Sequence, residues 1–354
     1  LLLEPSRTNL ESYSEYFNSA VVKVNVVITP NATTSPEGVV NASSFLDNAT
    51  SGSHYFYSPN STTSASGTTI THSIFAKANS NSWFQITSGS NTNDQWANFD
   101  LTNGVVGNSS ASANADIQPM GNGWYRCIIN STTTTTNAVV SSLILLTNDV
   151  NITTRNTSYA GNGNGVYVYG LQTEIASYPT SYIPTYGVSQ TRAQDLCTAT
   201  SVSNLIGQTQ GTIFIDVNIS DNLDTSNIRG IFDMNDGGTN NRISIYRGAN
   251  DLNIYAVIFD SGTNQASFTA YNKTGNVKIA LAYNSLGAVF YINGSLVDTD
   301  LSVTVPSCSD IDLGIITNRA DRILGGGINQ SLLFKTRLSD LDLAILTGAT
   351  TYNT

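Results

Sequence analysis

The sequence predicts an all-β protein of two antiparallel β-sandwich domains with one short C-terminal helix, on three observations. Side chains alternate apolar and polar with a period of two over most of the chain, as in Thr69–Lys77 and Thr212–Ile219. The segments between these runs are turn-rich, including Gly121-Asn122-Gly123 and the Gly-Asn-Gly-Asn-Gly run from Gly161 to Gly165. The pattern breaks once, at a proline-bearing stretch, and then restarts. In a chain of 354 residues that break marks two domains.

Composition agrees and narrows the function. Only 11% of residues are charged, against about 25% in an ordinary soluble protein. Neutral polar residues therefore carry the solubility. Thr suits strands, and Asn, Ser and Gly suit turns. The net charge of −10 comes with no cluster of Lys and Arg, so a nucleic-acid partner, which needs phosphates neutralised, is set aside. No apolar run approaches the roughly 18–20 residues that span a bilayer, so no membrane partner is expected. The longest, Val139–Leu146, contains two serines and has strand length. Leu1-Leu2-Leu3 lacks the basic flank and length of a signal peptide, and there is no initiator Met; a fragment or processed piece of something longer is the expectation. Cys127, Cys197 and Cys308 are few, odd in number and far apart, which fits small buried hydrophobes better than a disulfide framework. Sequons such as Asn31-Ala-Thr arise by chance in so much Asn, Ser and Thr, and no glycosylation is inferred.

In chain order, Thr69–Lys77 places Ile70, Ile74 and Ala76 on one face, and His72 shares it. Trp124–Asn130 and Val166–Thr173 are further strands. Ser177–Ala193 carries Pro179 and Pro184, which remove backbone donors and hold their predecessors extended, so it reads as an ordered strap. The expected domains are residues 1–195 and 210–354, with a linker at 196–209. In the second, Ile213, Ile215, Val217 and Ile219 alternate with polar or outward residues, and Val277, Ile279, Leu281 and Tyr283 repeat the arrangement. Asn293-Gly294 between alternating runs predicts a hairpin turn with positive φ. Ser339 as N-cap, Asp340 and Asp342 in the first turn and Gly348 at the end predict a helix, with Leu341, Ala344 and Ile345 as its buried stripe and Leu338 stapled onto Leu343.

Three stretches of the first half carry a resemblance: Leu2–Leu10 (LLEPSRTNL), Gly123–Cys127 (GWYRC) and Tyr169–Asp195 (YGLQTEIASYPTSYIPTYGVSQTRAQD). Together they resemble a module of bacteriophage tail and head fibre proteins related to carbohydrate-binding jelly rolls, in which the opening segment and the Pro-Thr-Ser-Tyr-Ile-Pro-Thr strap bracket the sandwich. Residues 210–354 resemble a concanavalin A-like, laminin-G-like sandwich through Val277–Val297 and Gly326–Leu346. That fold serves lectins, adhesion modules and glycan hydrolases alike. The combination implies a non-enzymatic, lectin-like virion protein on the particle surface, a tail or head fibre or decoration module. Its implied partners are host-surface or environmental glycans for receptor binding, itself in a homotrimer, and other virion proteins reached through a region outside this chain. A secreted bacterial lectin-like adhesin is the alternative, and a polysaccharide-degrading glycosidase the second.

Against the glycosidase, retaining chemistry needs two carboxyl groups about 5–5.5 Å apart. All five glutamates, Glu4, Glu11, Glu15, Glu37 and Glu174, lie in the first half, so the second domain has no Glu pair. Asp298 with Asp300, and Asp310 with Asp312, read as strand-edge and turn residues. His54 and His72 read as satisfied core or edge histidines. No nucleophile elbow, zinc helix or phosphate loop occurs. No catalytic residue is expected.

Asp233-Met-Asn235-Asp236-Gly-Gly resembles the opening of a calcium loop, but its twelfth position is Ser244, not Glu. Calcium at Asp233, Asn235 and Asp236 stands against a plain glycine-rich hairpin turn, and no other cofactor is expected. Glycan recognition needs exposed aromatic faces beside amide and carboxylate side chains. Trp83, beside Asn79–Ser82, and Trp96, beside Asn91–Gln95, are the first candidates; for Trp83 a core position is the competing reading. Tyr55 and Tyr57, on one strand face, come next. Trp124 is expected in the core.

Overall fold

A computed structural model describes the chain except residues 18–20, 59–61, 90–94, 137, 140–141, 150, 220–226, 250, 318–321 and 349–354. It is almost entirely β, with antiparallel strand pairing throughout and one helix among the described residues. The chain forms two compact units, Arg7–Arg192 and, as a second, Leu1–Ser6 with Ala193–Thr354.

In the Arg7–Arg192 unit, alternation sorts side chains between two six-stranded sheets. One runs, in spatial order, Val105–Ser109, Trp96–Asp100, Trp83–Ser88, Ser142–Leu146, Tyr55–Tyr57 and Val22–Val24. The other runs Asn114–Gly121, Trp124–Thr132, Thr69–Ala78, Gly165–Glu174, Val40–Asp47 and Val26–Thr34. Phe84, Ile86, Ala97, Phe99 and Ile144 from the first sheet meet Phe45, Ile74, Cys127, Ile129 and Val168 from the second in one buried core. The opposite face of the second sheet buries Ala42, Phe75, Trp124 and Tyr169, with Tyr182 of the proline strap packed on them. Trp124 is the expected core residue, and its indole N–H donates to Thr34 O at 3.0 Å.

The strap is tied down by Asn9. Its Nδ2 donates to Leu171 O and Ile183 O, and its Oδ1 accepts the amides of Glu11 and Thr173, so one buried amide serves four backbone groups. The Glu174 carboxylate accepts from Thr180 N and Thr180 Oγ1, and Gln172 Oε1 accepts from Ile183 N. Proline cannot extend a sheet ladder, so side chains of the opening and closing segments satisfy the backbone there instead.

His72 lies at the inner face, as its register with Ile70 and Ile74 requires. Its ring nitrogens reach Thr173 Oγ1 at 2.9 Å and Ser88 Oγ at 3.1 Å, bridging the two sheets, while Thr173 Oγ1 donates to the Glu11 carboxylate at 2.5 Å. Full burial lowers the His72 pKa to about 3 and raises that of Glu11. Neutral His72 then donates through Nδ1 to Thr173 and accepts at Nε2 from Ser88.

The second unit repeats the architecture. Its first sheet runs Leu2–Leu3, Gly326–Phe334, Gln210–Ile219, Gly275–Asn284, Gly287–Ile292 and Ser295–Asp300; its second runs Thr198–Ala199, Asp310–Leu313, Arg229–Asn235, Arg242–Arg247, Ile254–Asp260 and Thr263–Ala270. Ile213, Ile215, Val217 and Ile219 face Ile231, Ile243, Ile245 and Phe268 in its core. Asn293 and Gly294 turn the hairpin with φ of 48° and 82°. Cys308 is buried here, as Cys127 is in the other unit, and the three cysteines are free thiols.

Two boundaries differ from the sequence reading. Leu2 and Leu3 pair with Gly327 and Gly326, and Leu3 enters the second unit's core, so the first six residues do not belong with residues 7–192. Within the expected linker, Thr198–Ala199 is a sheet-edge strand and Ile206 is buried in the same core. The helix, Asp340–Thr347, has the predicted caps, with Ser339 Oγ accepting from Asp342 N and Gly348 left-handed at φ 118°. Its buried face is Leu343, Ala344 and Thr347; Leu341 and Ile345 are exposed, correcting the expected stripe. Leu343 and Ala344 pack on Phe214, Ala280, Ala282 and Tyr291, with Leu338 against the same cluster. No helix among the described residues is long and apolar enough to cross a membrane.

Candidate functional site

The Arg7–Arg192 unit carries an open groove of about 330 Å³ lined by Asp47, Ser80–Trp83, Thr147, Asn148, Tyr159, Ala160, Asn162 and Asn164. Its size falls at the lower end of small-ligand pockets, about 300–1,000 Å³.

One wall comes from the turn that leads into the strand Trp83–Ser88. Asn81 holds that turn: Oδ1 accepts the amides of Ser82 at 2.7 Å and Trp83 at 3.3 Å, and Nδ2 donates to Thr147 O at 2.7 Å. The bond to Thr147 fixes the turn against the end of the neighbouring strand, where Asn148 is exposed. Trp83 is half-buried, because it points away from the inner face that takes Phe84 and Ile86.

The facing wall is the glycine-asparagine loop. Asp47, at the end of the strand Val40–Asp47, accepts three consecutive amides on one oxygen: Asn162 at 2.8 Å, Gly163 at 2.6 Å and Asn164 at 3.0 Å. Its other oxygen accepts the Tyr159 hydroxyl at 3.0 Å. Such a nest of amides is a concave anion seat, filled here by the protein's own carboxylate. Gly161 is required for this path, since a Cβ there would lie 1.9 Å from Asn48 O. Tyr159 is backed by His54, whose ring sits 4.4 Å from its own, with Nε2 3.2 Å from Tyr159 O and Nδ1 2.7 Å from Asn25 O. Burial, and the Asp47 carboxylate after it, raise the Tyr159 pKa, so the phenol keeps its proton. Gly165 N donates to Ser80 Oγ and Asn81 N to Gly165 O, joining the two walls.

Of the four aromatic candidates, Trp83 alone lines the groove. Trp96 is 7% exposed, and the open ring face that sugar stacking requires is not there; most of its polar neighbours, Asn91–Asp94, lie outside the described residues. Tyr55 and Tyr57 share one face as expected, rings 6.4 Å apart and stacked, but they are half-buried and away from the groove lining. Sequence reasoning missed Asp47, Asn148, Tyr159, Asn162 and Asn164. The five-residue glycine-asparagine run was the available signal, and it read only as a spacer.

The calcium candidates form a hairpin turn. Asp233 is buried and accepts from Ser244 Oγ and Thr317 N; its pKa is raised by burial. Asn235 Nδ2 donates to both Asp233 and Asp312, its Oδ1 accepts Gly237 N, and the exposed Asp236 accepts from Gly238 N and Asn241 Nδ2. Protein donors thus already bond to these oxygens, and among the described residues no cluster of three His, Cys, Asp or Glu could hold a metal. Asp298 and Asp300 accept local amides, those of Thr299 and Ser302, on the edge strand Ser295–Asp300. Asp310 and Asp312 differ from the edge reading: their strand lies between two others, and Asp312 is buried and accepts from Thr198 Oγ1, Asn235 Nδ2 and Thr317 Oγ1.

The two sandwiches and the groove thus define a β-sandwich protein that carries an aromatic-walled, amide-lined recess. No protein-family model matches the sequence, and no curated protein matches it. Among solved structures, the CBM40 of the Ruminococcus gnavus IT-sialidase has 16% identity and a TM-score of 0.36 over 44% of this chain and 95% of its own. The leech intramolecular trans-sialidase has 19% identity and a TM-score of 0.34, with 41% of this chain covering 24% of its length. A SAP-like pentraxin from Limulus polyphemus has 13% identity and a TM-score of 0.32 over 39% of this chain and 70% of its own. At these values the likenesses carry no argument about what this chain does.

Proposed function

We propose that the protein is a non-enzymatic glycan-binding component of a phage particle, and that the groove beside Trp83 receives a sugar ring. The observation that carries the reading is the pairing of a half-exposed indole with a fixed opposite wall, Tyr159 to Asn164, across a recess edged by Asn148, Asn162 and Asn164. An indole face suits the C–H face of a pyranose, and amide side chains offer both donors and acceptors to its hydroxyls. The sequence resemblance of the opening segment, the Gly-Trp-Tyr-Arg stretch and the strap to phage fibre modules supports a virion-surface location and a trimeric fibre. Repeated weak sites in such a trimer gain avidity on a host surface.

A binding role is supported over hydrolysis by the groove's chemistry. Asp47 is the one carboxylate among the described lining residues, and each of its oxygens already accepts hydrogen bonds from the protein. Two opposed carboxyl groups, one of them free to donate a proton, are what glycoside hydrolysis requires. Incubating the protein with polysaccharide from bound host cells and assaying new reducing ends tests this. The expected result is retention on the cells with no product; sustained release of reducing sugar refutes the binding-only role.

A further inference from the structure

We infer that the Trp83 groove selects uncharged sugars and rejects acidic ones, an inference that rests on the glycan reading above. The groove's polar lining is made of side-chain amides and hydroxyls, among them those of Asn148, Asn162, Asn164, Thr147 and Tyr159, plus the Asp47 carboxylate; no Lys or Arg is among the described lining residues. Two of the unit's cations are engaged away from the groove: Arg126 donates to Ser73 Oγ and lies over the Phe75 ring, and Arg155 donates to Ser88 O. The backbone amides that form the natural anion seat of this loop, those of Asn162, Gly163 and Asn164, are taken by Asp47 at 2.6–3.0 Å.

An acidic sugar entering this recess meets two penalties. Its carboxylate or sulfate surrenders water without gaining a cation, and burying an uncompensated charge is costly. It also approaches the fixed negative charge of Asp47, with the exposed Asp149 next along the chain from Asn148. A neutral hexose or N-acetylhexosamine meets neither, because hydroxyls and acetamido groups pair with amides of either polarity. Selectivity here comes from what the site withholds as much as from what it offers.

The test is a glycan array carrying neutral and acidic glycans, followed by matched pairs such as galactose with galacturonic acid. Binding at the groove is read from the Trp83 indole N–H signal of isotope-labelled protein and from its loss in Trp83→Ala. The variant Asn148→Lys places a cation on an exposed lining position. The expected result is Trp83-dependent binding of neutral glycans, with acidic partners at least about tenfold weaker, and a gain of about tenfold or more for the acidic partners in Asn148→Lys. Acidic glycans that bind wild type as tightly as their neutral partners, and depend on Trp83, overturn the charge selection and leave the glycan reading standing. If no array glycan depends on Trp83, the glycan reading fails and this inference with it.

Discussion

The Tyr159 hydroxyl donates to the Asp47 carboxylate at 3.0 Å across a separation of 112 residues, and both residues line one wall of the groove. The same carboxylate holds the loop Asn162–Asn164, so the two contributions can be separated. Tyr159→Phe keeps the ring and loses one hydrogen bond; the expected cost is about 1 kcal/mol, with the loop intact. Asp47→Ala strips three loop amides of their acceptor and is expected to cost about 3 kcal/mol or more. Urea denaturation of the two variants checks the ordering. Equal costs show that the loop does not depend on Asp47.

Asn9 gives a second comparison. With all four of its polar bonds made to buried backbone, Asn9→Ala leaves two carbonyls and two amides unsatisfied. The expected destabilisation is about 3–5 kcal/mol, among the larger values for a single polar substitution. Limited proteolysis between Ser177 and Ala193 should accelerate in the variant. Unchanged cleavage and stability show that the opening segment does not fasten the strap.

His72 makes the Arg7–Arg192 unit acid-sensitive. Its folded pKa of about 3 lies below the ordinary 6.5, so between those values the unfolded chain binds a proton that the native state refuses. Stability therefore falls as pH drops below about 6.5, by up to about 1.4 kcal/mol per pH unit. Glu11 acts in the opposite sense: its raised pKa means that its burial costs more as pH rises through that value. Denaturation of wild type and His72→Gln between pH 4 and 7, compared by slope, tests this, since most of that interval lies between the folded value of about 3 and the unfolded 6.5. The variant should lose roughly one proton's worth of slope; identical slopes contradict a neutral buried imidazole.

Calcium should not stabilise the second unit. Ser244, Thr317, Gly237, Gly238 and Asn241 already donate to the oxygens of Asp233, Asn235 and Asp236. A melting temperature unchanged between millimolar calcium and chelator is the expected outcome. A rise that is lost in Asp236→Asn places an ion at this turn.

What could be read from the sequence was whatever depends on near neighbours. Alternation at Ile213 to Ile219 named a core row, and each of those four side chains is 0–1% exposed. Asn293-Gly294 and the Ser339 and Gly348 caps were legible because a turn or helix end is local chemistry. The helix's buried face was legible only in part: Ala344 fits the expected stripe, but Leu341 and Ile345 are exposed and Leu343 faces inward, because Phe214, Ala280 and Ala282 lie beneath it, on strands far away in the chain. Trp83 and Trp96 look alike in sequence, each beside a polar run, and both point away from the inner core of their sheet. Their exposures differ for reasons of tertiary packing. Over this sheet face the backbone of residues 152–156 is held down by Gln85 and Asn98, through bonds to Thr154 O, Asn156 N and Ile152 O. No pattern within one strand reports what crosses it. Asp47 was silent for the same reason, since its partners come more than a hundred residues later.

Binding of intact host cells or purified surface glycan by Trp83→Ala, measured beside wild type, tests the central claim most directly. The half-exposed indole predicts a loss of at least about tenfold in affinity with an unchanged melting temperature. Full retention by a folded Trp83→Ala protein contradicts the assignment of the groove as the glycan site.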